Sequence, residues 1–213
     1  MFALPKGSIS ADQPHDIFET DRHNMQRYTM VEYDDAGPDV RAVYDDFMRT
    51  TGSPNVPNWV KSTGHSERFA KAYWEKTRGC LVLGEMPLIF KELIIFVVSV
   101  ENGSRYCTAC HAHSALQLDK SLTYEDMLAM VSDIDSPHLP LATRVALRFA
   151  RKMAREANEV TDADFAELRS AGYSEEQIKE ILGTIDLAMM FNCYTKGLQL
   201  PLDEEYRPII GRN

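Results

Sequence analysis

Cys107, Cys110 and His111 fall within five residues of one another, and Glu92 precedes them across an apolar run. Such residue types support thiol chemistry when a base stands near the sulfur and a carboxylate orients the base. Asn102-Gly103 is a helix stop, and Ser104 directly after it suits the N-cap of a following helix. That places Cys107 in the new helix's first turn, where unsatisfied N–H groups and the macrodipole favour a thiolate. His111, four residues on, shares the face of Cys107 at roughly 6 Å between Cβ atoms. Cys107 is therefore expected to be the most reactive of the four thiols, with Cys80 and Cys193 read as small buried hydrophobes inside apolar stripes.

The elements that must position this cluster are helices. Residues 93 to 100 are rich in β-branched side chains, but Pro87 opens a helix well, and no second convincing strand exists to complete a ladder. The run reads as a helix buried nearly all round. If it and the Cys/His helix form an antiparallel hairpin, Glu92 and His111 lie at depths of roughly 16 and 12 Å from the Asn102-Gly103 hinge, within a turn of each other. Glu92 can then meet His111, although its position alone reads as a solvated first-turn glutamate. Other helices are expected from Pro38 to Gly52, from Phe69 to near Gly84, over 123–131, over 140–157, over 161–171, and from the Ser174–Gln177 capping box to Gly197. The expected fold is all-α, about eight helices in a single domain over 38–213, preceded by an arm over 1–37 that packs on its own core or on a neighbouring subunit.

Composition narrows the partners. A net charge of -9 and a pI near 5.2 argue against a nucleic-acid footprint or a basic membrane-binding patch. No apolar stretch has signal-peptide or membrane-spanning length, so a cytoplasmic protein with no membrane partner is expected. In a reducing compartment a close cysteine pair is catalytic or metal-binding more often than structural. Cys107-Thr-Ala-Cys110 has the spacing of a dithiol pair. Cys107 through His111 also reads Cys-x-x-Cys-His, the haem-attachment pattern, but that chemistry belongs with exported proteins. A zinc site on Cys107, Cys110, His111 and His113 would need ligands from elsewhere, because adjacent ligands on one helix cannot all face one ion. No cofactor or metal is expected, and His113 reads as a surface or supporting histidine.

Glu92, Asn102-Gly103, Tyr106, Cys107 and His111, with Lys91-Glu92-Leu93 and Val98-Ser99 around them, resemble the core motif of the carboxymuconolactone decarboxylase / alkylhydroperoxidase D family. The segment from Met190 to Asp203 is similar to the closing helix of the family's peroxidase-related members. The resemblance spans roughly residues 38 to 205. It implies an all-helical fold assembling as a homo-oligomer, trimer or hexamer. It also implies Glu92 as relay carboxylate, Cys107 as reactive thiol and His111 as relay histidine. One departure stands out: Ser104 occupies the place of the first cysteine in the redox members, so the usual disulfide cannot form and Cys110 is left as a displaced partner. Two activities follow as expectations. One is a thiol-dependent peroxidase, an antioxidant oxidoreductase that reduces hydroperoxides with an external thiol reductant, with Ser104 and Tyr106 supporting the site. The other is a decarboxylase-like lyase of a small organic acid, using His111 and Glu92 as acid and base. A non-catalytic oligomeric member is the third possibility.

Overall fold

The computed structural model describes residues 27–137 and 139–210, and every regular element among them is helical. Eight helices have nine residues or more: α1 (Pro38–Thr51), α3 (Glu67–Thr77), α4 (Leu88–Glu101), α5 (Arg105–Leu118), α6 (Tyr124–Ser132), α7 (Leu141–Glu156), α8 (Asp162–Ser170) and α9 (Glu175–Leu198). Two four-residue helices, α2 (Asn58–Lys61) and α10 (Arg207–Ile210), fall in stretches whose sequence shows only loop punctuation. A π-helical segment, Arg78–Val82, prolongs α3.

The buried run is α4, the axis of the molecule, which packs against α5, α7 and α9. Residues 94 to 99 are all buried, so its apolar character all round matches its surroundings. Charged ties fix both ends. At the first turn the buried ammonium of Lys91 meets Glu180 of α9 at 2.6 Å and donates to the Leu83 carbonyl. At the last turn Glu101 pairs with Arg151 at 2.8 Å and Arg155 at 2.5 Å, both on α7. Between them Ser99 donates to the Asn192 side-chain carbonyl at 3.0 Å, which sets α4 against α9. Glu180 also accepts from the backbone N–H groups of Glu85 and Met86, bracing the loop that feeds α4. Gly84 in that loop has φ +117, and an added Cβ would lie 2.3 Å from the Glu180 carboxylate. Only glycine fits there.

Most helix boundaries fall where the sequence puts them. Thr123, Thr161 and Ser174 each open a helix with a reciprocal capping box. Gly52 ends α1 in the left-handed conformation. One stop is different: α9 runs through Gly197 and ends at Gln199, φ 52. The buried Leu200 donates its N–H back to the Thr195 carbonyl at 3.0 Å, so the C-terminal hydrophobic contact and not the glycine sets the end.

The described part of the arm, from residue 27 to 37, packs on the chain's own core. The Val31 N–H donates to the Lys61 carbonyl at 3.1 Å, and the buried Tyr44 hydroxyl donates to the Val31 carbonyl at 3.0 Å. Residues 1 to 26 of the expected arm lie outside the described residues.

Candidate active site

The α4–α5 hairpin turns at Asn102, with Gly103 in the left-handed region at φ 60. This brings Glu92 and His111 into contact: the Glu92 carboxylate accepts from His111 Nδ1 at 2.6 Å. Glu92 is buried, not solvated. With Nδ1 committed to the carboxylate, Nε2 is the nitrogen left to take or give a proton.

Ser104 occupies the N-cap position of α5, but its side chain caps nothing. Instead its hydroxyl lies 3.2 Å from Thr195 Oγ1, and Cys107 Sγ lies 3.4 Å from the same oxygen. Thr195 has one hydroxyl proton, and it goes to the Phe191 carbonyl at 2.8 Å. Its oxygen therefore accepts from Ser104 and from the Cys107 thiol, an arrangement that suits the neutral sulfur. Burial pushes the Cys107 thiol above its ordinary value, against the opposing pull of Ser104 and Thr195. The thiolate expected from the helix N-terminus is thus not the resting form, because desolvation outweighs the first-turn effect. Ionisation requires the two hydroxyls to turn and donate to sulfur. We expect Thr195→Val to raise the Cys107 pKa further and Thr195→Ser to restore it. The pH dependence of Cys107 alkylation, followed by mass spectrometry, reads both.

Cys110 is buried one turn deeper. Burial drives its thiol well up, with the Glu92 charge adding to the effect and a hydrogen bond with Tyr206 opposing it. All four described cysteines are free thiols. Cys193 is exposed and Cys80 half-buried, which corrects the expectation that both are buried. Cys193 is not among the buried residues of α9. In the monomeric chain iodoacetamide should therefore label Cys193 before Cys107, and peptide mapping at limiting reagent checks the order.

Tyr106 supports the site through a clamp that the sequence does not announce. Its hydroxyl donates to Asp203 at 2.6 Å and accepts from the Trp59 backbone N–H at 3.2 Å, while Asp203 accepts from the Asn58 backbone N–H at 2.9 Å. Burial raises the Asp203 pKa, with Tyr106 and the Asn58 N–H pulling it down. The clamp draws the chain after α9 across α5, and there Tyr206 reaches Cys110 and its ring packs 5.3 Å from that of His113. Thr195, Asp203, Tyr206 and Trp59 are the participants that sequence reasoning missed. The only local cue to two of them, Thr195 and Asp203, is the segment from Met190 to Asp203 noted for its resemblance.

Cys107, Cys110, His111, Glu92 and Thr195 all line one cavity of about 340 Å3. Phe47, Trp59, Trp74 and Phe191 wall its other side, with edge-to-face ring pairs at 4.8 to 5.7 Å. Leu81 and Val82 of the π-helical segment also reach it. Among the described residues no group of three or more His, Cys, Asp or Glu is placed to hold a metal ion, and no helix is long and apolar enough to cross a membrane.

No protein-family model matches the chain, and no curated protein matches it in sequence. Solved structures do match it in shape. An uncharacterised peroxidase-related protein from Silicibacter sp. TM1040 superposes with a TM-score of 0.72 at 23% identity, covering 87% of this chain and 96% of that one. An alkylhydroperoxidase AhpD core protein from Ralstonia eutropha JMP134, also peroxidase-related, gives 0.75 at 23% identity over 86% and 95%. The debrominase Bmp8 gives 0.73 at 21% identity over 89% and 97%, and a cysteine-to-alanine variant of it has been solved in complex with 2,3,4-tribromopyrrole. The chain has the alkylhydroperoxidase D-like helical fold, and these neighbours support, through structure, its resemblance to the carboxymuconolactone decarboxylase / alkylhydroperoxidase D family.

Proposed function

We propose that this chain is a thiol-dependent peroxidase-like oxidoreductase in which Cys107 reacts and the Glu92–His111 pair moves protons. One observation carries the reading: the Cys107 thiol and a buried carboxylate–imidazole pair line the same cavity. The fold alone does not decide the reaction, since it also serves a debrominase.

In this mechanism His111 Nε2 takes the thiol proton as the hydroperoxide enters, and Glu92 stabilises the imidazolium. The sulfur attacks the terminal peroxide oxygen. An S–O bond forms, the O–O bond breaks, and the departing alkoxide takes the proton from His111 to leave as an alcohol. Cys107 is oxidised by two electrons to the sulfenic acid. A second thiol, Cys110 or an external one, then attacks this sulfur and releases water. A dithiol reductant returns the two electrons by exchange.

The alternative is a lyase of a small organic acid with His111 and Glu92 as acid and base. It draws on the same buried pair and leaves Cys107 incidental. The deciding experiment mixes the purified protein with stoichiometric cumene hydroperoxide and maps the four thiols by mass spectrometry. Oxidation at Cys107 with consumption of the peroxide is expected. If all thiols stay reduced while the protein decarboxylates or opens a lactone, the lyase replaces the peroxidase.

We also propose a homo-oligomer, trimer or hexamer. Leu83, Leu141 and Met189 are large apolar side chains left exposed in the monomer, and their cover would come from a second copy. Light scattering at micromolar concentration reads the mass directly, and a monodisperse species of 24.2 kDa would contradict it.

A further inference from the structure

Charge is the property of the cavity that the proton relay leaves unused. No lysine or arginine lines it among the described residues, and the carboxylates that reach it are Glu92, already paired with His111, and Glu205. A carboxylate entering here would lose its hydration without finding a permanent cation, since the two histidines in the wall, His111 and His113, offer one only when protonated, and that is a costly transfer. The walls are aromatic instead, from Phe47, Trp59, Trp74, Tyr106, Phe191 and Tyr206. Such rings offer edges and faces to another flat ring.

Size points the same way. The cavity measures about 340 Å3, whereas an apolar void of about 150 Å3 already holds benzene and a water-sized molecule occupies about 30 Å3. Hydrogen peroxide would leave most of the space unfilled. The volume falls in the range of pockets that enclose small organic ligands.

We propose that the cavity binds an uncharged organic molecule bearing a flat apolar ring, presents its reactive group to Cys107, and rejects anionic molecules of the same size. The reactive group rests on the peroxidase reading above, but binding of the ring does not. The chain's two tryptophans, Trp59 and Trp74, both line the cavity, so their fluorescence reports occupancy without any reaction.

The test is a pair of titrations at pH 8. One uses 2-phenyl-2-propanol, the unreactive alcohol product of cumene hydroperoxide, and the other uses benzoate. Saturable tryptophan quenching by the alcohol is expected, with benzoate weaker by about 100-fold or more. Leu118, exposed at the cavity's edge, provides a variant that leaves the core alone. Leu118→Lys should tighten benzoate by about tenfold relative to the alcohol. In turnover, kcat/KM for cumene hydroperoxide should exceed that for hydrogen peroxide by about 100-fold or more. Benzoate binding as tightly as the alcohol, or no alcohol binding at all, overturns the proposal. Saturable alcohol binding with neither peroxide consumed supports it and overturns the peroxidase reading. Equal consumption of both peroxides without alcohol binding does the reverse.

Discussion

Cys107→Ser is expected to lower hydroperoxide consumption by at least about 1000-fold, because a serine oxygen cannot take up the peroxide oxygen in the two-electron oxidation that the cysteine sulfur undergoes. The loss should appear in kcat/KM with the melting temperature little changed, since the substitution is close to isosteric and Thr195 can still accept its proton. Cys110→Ser should behave differently. Oxidised Cys107 would then lack its internal partner, and a sulfenic-acid probe should trap it there in stoichiometric yield. The pair sits at i and i+3 on α5, where Cβ atoms lie roughly 5–6 Å apart, beyond the usual disulfide spacing of about 3.8 Å. A Cys107–Cys110 bond therefore requires local unwinding of the helix. The Cys110 thiol is also buried and driven well above its ordinary value, so its attack should be slow at neutral pH and speed up as pH rises. If Cys107→Ser retains activity on a lactone or small organic acid, the thiol has no part in the chemistry and the acid–base reading stands.

The largest structural effect is expected from Glu180→Ala. It would leave the Lys91 ammonium, only 1% exposed, with a single carbonyl partner, and it would orphan the N–H groups of Glu85 and Met86. Breaking a buried pair by removing one partner costs about 3–5 kcal/mol. Urea denaturation at pH 7 should show a loss of this size, and a change below about 1 kcal/mol would mean that Lys91 finds another acceptor. The pH dependence has a definite sign. Burial alone would raise the Glu180 pKa, but Lys91 and the two backbone donors outweigh it and hold the carboxyl below its ordinary 4.5. Its contribution is then fully present above pH 4.5 and is lost as the pH falls through the lower folded-state value. The wild type should lose stability over that acid range more steeply than Glu180→Ala, which has no such carboxyl to protonate.

The Glu92–His111 pair and the Lys91–Glu180 pair differ in how visible they are along the chain. Glu92 and His111 are nineteen residues apart and joined by one hairpin, so helical rise alone places them together, and the 2.6 Å contact follows that arithmetic. Lys91–Glu180 spans two helices far apart in sequence. No local period connects them, and neither residue looks other than a surface charge on its own helix.

The sequence by itself determined the helices, the buried character of α4, the turn at Asn102-Gly103 and the capping boxes, because propensity, apolar period and cap chemistry act over a few residues. Tertiary structure alone decided the state of the thiols. Ser104 looks like a capping residue, yet its hydroxyl turns to Thr195, ninety-one positions away, since α9 brings a better-placed partner to the hairpin. Cys107 looks like an activated first-turn thiol, yet burial beneath α9 raises its proton affinity. Cys193 looks apolar and buried, yet it lies on the one exposed side of a helix whose apolar residues cover several faces. Desolvation depends on everything packed around a group, and for these three residues that packing comes from chain segments remote in sequence.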